Sequence, residues 1–331
     1  MGPMEGECCK PSEMLDQEAL LGLYRTMLLI REFEDEVYRL FLQGVIAGTI
    51  HLARGQEAIS AGIMAALRPD DYVTITYRGH GHCIARGVSL DKMFGELMGR
   101  GTGVCKGKGG SMHIKDFRKG VIGCFAIVGA GLPFGVGAGL SAKLRGSGQV
   151  SVVFFGDGAA NIGEFHEALN IAAVYRVPVV FVCENNLYGE YTRINRTTPF
   201  EDIARRADAY AMPGVIVDGN NVLDVYDAAV EAVGRARSGG GPTLLECKTY
   251  RHYGHSRADP AKYRPEEEVR AWMERDPLKR LLSYLIGKGF LDERGAERIL
   301  EEVRTAVKEA SARALQAPWP DISEIEKDVY A

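Results

Sequence analysis

Ser151-Val152-Val153-Phe154-Phe155-Gly156-Asp157-Gly158 and Pro178-Val179-Val180-Phe181-Val182-Cys183-Glu184-Asn185-Asn186 are two apolar runs that each end on polar residues. Both runs read as strands, and Ala159 to Val177 between them reads as a helix, so the whole is a strand-helix-strand unit. In parallel α/β sheets, ligands bind at the carboxyl ends of the strands. Asp157 and Asn186, 29 positions apart, can therefore meet there. A carboxylate and an amide carbonyl are hard ligands of the kind Mg²⁺ takes, completed by phosphate and water. Gly156 and Gly158 let the backbone approach a diphosphate closely. The helix expected from Ala159 offers that diphosphate free N–H groups and a positive dipole end. Asp157 is expected on a surface turn. The bland alternative is two ordinary strand-to-helix turns whose Asp and Asn merely cap helices.

Working outward, the 331 residues are 46% hydrophobic and 25% charged, with a formal net charge of −4. That supplies a large core and no general basic character for nucleic acid. The seven cysteines are odd in number and form no CxxC pair, which fits a reducing cytoplasm. Met1 to Glu5 shows no basic region followed by an apolar one, so no secretory signal is expected. No charge lies between Lys119 and Lys143, long enough to raise a membrane span. The stretch is glycine-rich and contains Pro133, however, and Gly129 to Gly139 reads as a buried helix whose Gly131, Gly135 and Gly139 admit close backbone packing.

Residues 1–14 read as a flexible N-terminal tail and 15–331 as one domain. Helices are expected over Gln17 to Gln43, Gly55 to Leu67, Leu90 to Met98, Phe200 to Tyr210 and Asn221 to Ser238, and a helical hairpin from Pro265 to about Leu315. Strands are expected at Tyr72 to Tyr77, Gly214 to Val217 and Thr243 to Tyr250. Gly99 to Phe117 is a Gly- and Lys-rich loop. Its 103–110 run lacks the GxxxxGK[ST] order of a P-loop. Alternating strands and helices argue for an α/β fold, a parallel sheet with helices on both faces plus C-terminal helices. The loops after Tyr77, Phe155, Cys183 and Tyr250 would then cluster along one edge, with Arg78, Asp157, Asn186 and His255.

GDG followed by NN at this spacing resembles the thiamin diphosphate motif. Further segments extend the likeness: His51-Leu52-Ala53-Arg54-Gly55-Gln56-Glu57-Ala58, Tyr77-Arg78-Gly79-His80-Gly81, Lys106-Gly107-Lys108-Gly109-Gly110-Ser111-Met112-His113, Ile127-Val128-Gly129-Ala130-Gly131 and Arg251-His252-Tyr253-Gly254-His255-Ser256. In this order they resemble the alpha subunit of the first component of 2-oxo acid dehydrogenase complexes, over about residues 15 to 320. That resemblance implies a thiamin diphosphate-binding fold. It implies metal ligands at Asp157, Asn186 and the backbone carbonyl of Tyr188. It also implies a diphosphate held by Tyr77, Arg78 and the backbone of Gly156, Gly158 and Ala159, and an aminopyrimidine met by the backbone at Ala126 and Val128. Here the usual Asn-Gly-Ile-Val becomes Phe125-Ala126-Ile127-Val128, and an alanine keeps the contact only if its φ is negative. His51, His80 and His255 would line the substrate and cofactor entrance as catalytic residues, His255 beside the diphosphate. His113, His166 and His252 read as structural.

The implied chemistry is carried by the cofactor: its ylide attacks a carbonyl carbon, the adjacent C–C bond breaks, and the acyl fragment passes to a lipoyl-bearing acyltransferase partner. The carboxylate that activates the aminopyrimidine belongs to the beta subunit in this family, so an alpha2beta2 heterotetramer is implied. Pyruvate is the expected substrate and acetoin the alternative, because Leu187-Tyr188-Gly189-Glu190-Tyr191-Thr192 looks closer to acetoin dehydrogenase and related bacterial subunits than to branched-chain enzymes. Ser256 stands where mitochondrial relatives carry a regulatory phosphoserine, a regulation not expected here without a transit peptide. The rivals are a non-catalytic scaffold subunit and a dinucleotide-binding oxidoreductase, the latter lacking GxGxxG after the first strand.

Overall fold

The computed structural model describes residues 9–328. Its centre is a parallel sheet of β1 (Tyr72–Thr76), β2 (Val121–Phe125), β3 (Ser151–Gly156), β4 (Val179–Asn185), β7 (Gly214–Asp218) and β8 (Thr243–Lys248); β5 (Tyr188–Gly189) and β6 (Thr192–Arg193) form a separate small hairpin. The helices are α1 (Gln17–Leu42), α2 (Glu57–Ala65), α3 (His80–Ala85), α4 (Leu90–Leu97), α5 (Gly131–Arg145), α6 (Gly163–Val174), α7 (Val222–Arg237), α8 (Glu266–Glu274), α9 (Pro277–Gly287) and α10 (Glu293–Gln316). Sheet order is β2-β1-β3-β4-β8-β7. The chain leaves β1 toward one edge and β3 toward the other, so a crevice opens at the carboxyl ends of these two neighbours.

The uninterrupted apolar runs of β3 and β4 follow from burial on both faces. Val152, Phe154, Val180 and Val182 pack with Phe33 and Val37 of α1, Phe94 of α4 and Val225 of α7. Val153, Phe155, Phe181 and Cys183 point the other way, onto Leu132 and Val136 of α5 and Phe165 and Leu169 of α6. The charge-free stretch resolves into β2 and the first turns of α5, and no helix among the described residues is long and apolar enough to cross a membrane. The small-residue face of α5 is real. A Cβ on Gly135 would lie 2.1 Å from Val153 Cγ2, and one on Gly139 2.8 Å from Val177 Cγ1.

Three expectations change. The helix expected from Ala159 starts later: Asp157–Asn161 is a 3₁₀ turn and α6 begins at Gly163. Arg206 donates to the Ala160 carbonyl, an acceptor that a continuous helix would use, and also, at 2.8 Å, to the side-chain Oδ1 of Asn161. The expected helix ending at Tyr210 is a 3₁₀ helix, Ile203–Tyr210. The C-terminal hairpin is three helices, because Asp276 caps the N–H groups of Leu278 and Lys279 and Pro277 opens α9. Of the tail expected over 1–14, residues 1–8 lie outside the described residues. Pro11–Met14 is a 3₁₀ turn in which Ser12 donates its N–H and hydroxyl to Asp227 of α7, at 2.6 and 2.8 Å.

The Gly- and Lys-rich loop is built around one buried carboxylate. Glu96 of α4 accepts from the backbone N–H groups of Cys105 (2.7 Å), Gly107 (3.0 Å), Gly109 (2.6 Å) and Gly110 (3.1 Å). Gly107 and Gly110 have φ of 76° and 64°, a region glycine adopts freely. The backbone N–H groups of this glycine-rich loop, the kind that cradle a nucleotide phosphate elsewhere, are thus already satisfied from within.

Candidate active site

The loops after β1, β3, β4 and β8 meet above the crevice and enclose a cavity of about 600 Å³. Tyr77, Arg78, Ala126, Val128, Gly156, Asp157, Gly158, Ala159, Asn186, Tyr188, His51 and His255 all line it. Segments more than a hundred residues apart are brought together because most follow a parallel strand, while His51 comes from the connection between α1 and α2.

Asp157 is not on a surface turn: it is 2% exposed. Burial pushes its carboxyl up to about 6, against the pull of the Arg251 charge and of the backbone N–H groups of Asp157 and Asn186. Its Oδ2 is buried with no hydrogen-bond partner, and so is Asn186 Oδ1. Unpaired buried oxygens are costly, on the order of 1–3 kcal/mol each. Two on adjacent strand ends, with the Tyr188 backbone on the same wall, form a donor set suited to a hard divalent cation. Gly158 is pressed to 3.2 Å from the Gly189 Cα for any added Cβ, so the turn and the β5 hairpin abut. A Cβ on Gly156 would meet nothing within 4 Å, leaving open space beside the cavity. Leu187 and Glu190 hold φ of 71° and 52°, backbone strain of about 1 kcal/mol or more each that flanks the Tyr188 turn.

Positive charge balances this. Arg78 is 5% exposed, and burial together with the Arg251 charge lowers its guanidinium to about 10. It donates to the carbonyls of Leu52 (2.7 Å) and His255 (2.8 Å). Each terminal nitrogen keeps one hydrogen for another acceptor, so its fork is half engaged rather than wholly free. Arg251 is 1% exposed and also lines the cavity. It donates to His255 Nδ1 at 2.9 Å and to the Glu190 carbonyl at 3.1 Å. Two buried arginines facing one cavity favour an anion such as diphosphate.

His51 and His255 stack edge to face, 5.0 Å between ring centres, with Tyr77 4.4 Å from His51. Burial first, then the Arg78 charge, holds His51 down at about 3 and His255 at about 4. Both are neutral near pH 7. Because Arg251 occupies Nδ1 of His255 as donor, the proton of the neutral ring sits on Nε2. Ala126 keeps a negative φ, so the alanine in place of glycine leaves its backbone contact available.

The family model of the dehydrogenase E1 component matches residues 25–323. The chain belongs to the dehydrogenase E1 component family. Members of this family depend on thiamin diphosphate. The alpha subunit of acetoin:2,6-dichlorophenolindophenol oxidoreductase from Bacillus subtilis (strain 168) is 48% identical over 317 residues, 96% of this chain and 95% of the relative. Its Cupriavidus necator namesake is 44% identical over 96% of this chain and 95% of its own length. The pyruvate dehydrogenase E1 component alpha subunit of Rhizobium meliloti (strain 1021) is 43% identical over 93% of this chain and 89% of its own length.

Within this E1 chain, His80 stands apart from the other expected histidines. It does not line the cavity but is fully buried, with Nδ1 2.9 Å from Glu34 Oε2 and Nε2 2.9 Å from Ser111 Oγ. Glu34 also accepts from the Ala53 N–H at 2.8 Å, so His80 ties α1, the segment behind His51 and the loop before Met112 together. Glu164 and His166 are exposed on α6, consistent with no part in the site. Sequence reasoning missed Arg251, Gln56 and a buried chain in which Ser60 Oγ lies 2.6 Å from His82 Nδ1, and His82 Nε2 3.2 Å from Glu184, itself a wall of the cavity. Arg251 had one available signal, a basic residue at the exit of β8. The others depend on pairings that no local pattern announces.

Proposed function

We propose that this chain is the thiamin diphosphate-binding alpha subunit of a two-subunit dehydrogenase that cleaves the C–C bond next to a carbonyl and delivers the acyl group to a lipoyl-bearing partner. The observation that carries it is the single cavity that holds both two unpartnered buried oxygens, on Asp157 and Asn186, and two buried cations, Arg78 and Arg251. In this reading Asp157, Asn186 and the Tyr188 carbonyl hold Mg²⁺. Tyr77, Arg78 and the backbone of Gly156, Gly158 and Ala159 hold the diphosphate, and Ala126 and Val128 meet the aminopyrimidine. When bound, the cofactor supplies the carbanion chemistry and the electron sink. His255 Nε2–H is a hydrogen-bond donor on the cavity wall, suited to stabilising a reacting oxygen. His51 buttresses that ring, and His80 holds the wall behind it rather than touching substrate.

Among the described residues there is no cluster of three His, Cys, Asp or Glu for a metal. A set of one carboxylate, one amide and one carbonyl, completed by phosphate and water, is instead the pattern Mg²⁺ accepts with a phosphorylated ligand. Exposed Ile127 (74%) and Val128 (48%) line the site, and exposed Phe134 (58%) packs on Phe125 of its wall, an apolar surface suited to a beta subunit that completes it. Residues 15–331 act as one domain in this reading, in the cytoplasm, within an alpha2beta2 assembly. Acetoin is favoured over pyruvate as substrate, since the two relatives named for acetoin are 48% and 44% identical. The test is calorimetry of thiamin diphosphate and Mg²⁺ on the co-expressed pair, followed by turnover with acetoin, pyruvate and branched 2-oxo acids. Asp157→Ala should weaken Mg²⁺-dependent cofactor binding by on the order of 10²-fold; unchanged affinity would remove the metal assignment.

A further inference from the structure

We propose that Gln56 is the positioning residue that presents the Asn186 side-chain oxygen to a divalent cation; the inference rests on the reading of Asp157 and Asn186 as cation ligands. A side-chain amide can turn either its oxygen or its NH₂ forward, and only the oxygen binds a hard cation. Asn186 Nδ2 donates to Gln56 Oε1 at 2.9 Å, the only hydrogen bond of the Asn186 side chain among the described residues. The nitrogen is thereby held back, and Oδ1 is left buried, unpartnered and on the cavity wall beside Asp157.

Gln56 is itself anchored. It is 1% exposed and precedes α2, its N–H donating to the Ala53 carbonyl at 3.0 Å and its own carbonyl accepting from Ile59 at 3.2 Å. The next residue, Glu57, accepts from the Gly55 N–H at 3.1 Å and pairs with buried Arg31. The acceptor that orients Asn186 therefore belongs to a fixed helix start, 130 positions away in sequence. Gln56 touches no cation in this arrangement. It acts through Asn186, as partners of metal ligands commonly do, and losing such a partner weakens metal binding by about 10–100-fold.

The experiment uses the chain co-expressed with its partner subunit, Mn²⁺ as a paramagnetic probe for Mg²⁺, and electron paramagnetic resonance in saturating thiamin diphosphate. Gln56→Leu should weaken Mn²⁺ by about 10–100-fold, with thiamin diphosphate affinity returning to the wild-type value once Mn²⁺ saturates. Gln56→Glu keeps an acceptor in place and should bind Mn²⁺ at least as well as wild type. If Gln56→Leu fails to fold by circular dichroism, Gln56→Met gives the same removal with a closer shape. Normal Mn²⁺ affinity in Gln56→Leu or Gln56→Met, alongside its loss in Asp157→Ala, would overturn the role of Gln56 and leave the ligand assignment standing. Normal affinity in Asp157→Ala as well would overturn both. Weak cofactor binding that neither excess Mn²⁺ nor Gln56→Glu restores would make Gln56 merely structural and overturn the proposal.

Discussion

A buried carboxylate that lacks a full set of partners is a destabilising group until something binds it, and Asp157 is in that position. Its carboxyl is raised from 3.8 to about 6 by burial. The unfolded chain releases this proton first, so the stabilising contribution is present below about pH 3.8 and is lost as pH rises through about 6. Asp157→Asn keeps the shape without the charge. In the cofactor-free chain it should be the more stable protein above pH 6, by on the order of 3 kcal/mol, while losing cation-dependent cofactor binding. Denaturant melts of both proteins at pH 5 and pH 8 check this: the gap should widen with pH, and a gap that narrows would contradict the sign. Asp157 and Asn186 were legible because each closes an apolar run. The burial that raises the Asp157 carboxyl was not, since it depends on distant segments such as the β5 hairpin, whose Gly189 abuts Gly158.

At the scale of elements, strands and long helices followed from apolar period and capping residues, as Asp16 capping the Ala19 N–H of α1 illustrates. Shifts arose where a distant side chain took over a backbone group, as Arg206 does after β3. The loop from Arg251 to Arg264 shows the same lesson. Its run of polar and basic residues announces no partner within the chain, yet the chain braces it internally. Asp259 accepts from the His255 N–H (2.6 Å), the Ala261 N–H (2.8 Å) and the Tyr263 hydroxyl (2.8 Å), and Arg264 donates to the Arg251 carbonyl at 2.6 Å. Asp259→Ala should therefore speed proteolytic cleavage within 251–264 by on the order of tenfold, the scale expected when about 1–2 kcal/mol of local hydrogen bonding is lost. Addition of thiamin diphosphate and Mg²⁺ should recover part of that protection. Limited proteolysis with mass spectrometry reads both, and cleavage at the wild-type rate would show that Asp259 does not brace the loop.

For the whole molecule, parallel topology decides where chemistry can occur, and one wall of the cavity is left open to a partner. Phe134 is 58% exposed, its ring 4.8 Å centre to centre from that of Phe125, and Ile127 on the cavity wall is 74% exposed. Phe134→Asp should leave the melting temperature of the isolated chain nearly unchanged and weaken association with the beta subunit by on the order of 2 kcal/mol. Light scattering on size-exclusion fractions tests this; an intact heterotetramer at low concentration would place the interface elsewhere. The parallel sheet and the clustering of its loops were readable from alternation of elements. Which residues then face one another was not, because Gln56 with Asn186 joins the start of α2 to the end of β4 and Ser60 with His82 joins α2 to α3, pairings that depend on how distant elements pack.

Glu96 can be thought of as a ligand the protein supplies to itself. Four backbone N–H groups of the loop from Cys105 to Gly110 converge on its two oxygens. If the side chain is cut back, the loop is left as an empty receptor for a small carboxylate. Glu96→Ala should lose roughly 3 kcal/mol or more of stability and slacken the wall that carries Met112. Acetate or formate, entering the vacated space, should restore part of the melting temperature in a saturable manner that chloride at equal ionic strength does not reproduce. A domain whose glycine-rich turn looks like a phosphate grip would then be one that can be tuned from outside by a two-carbon acid.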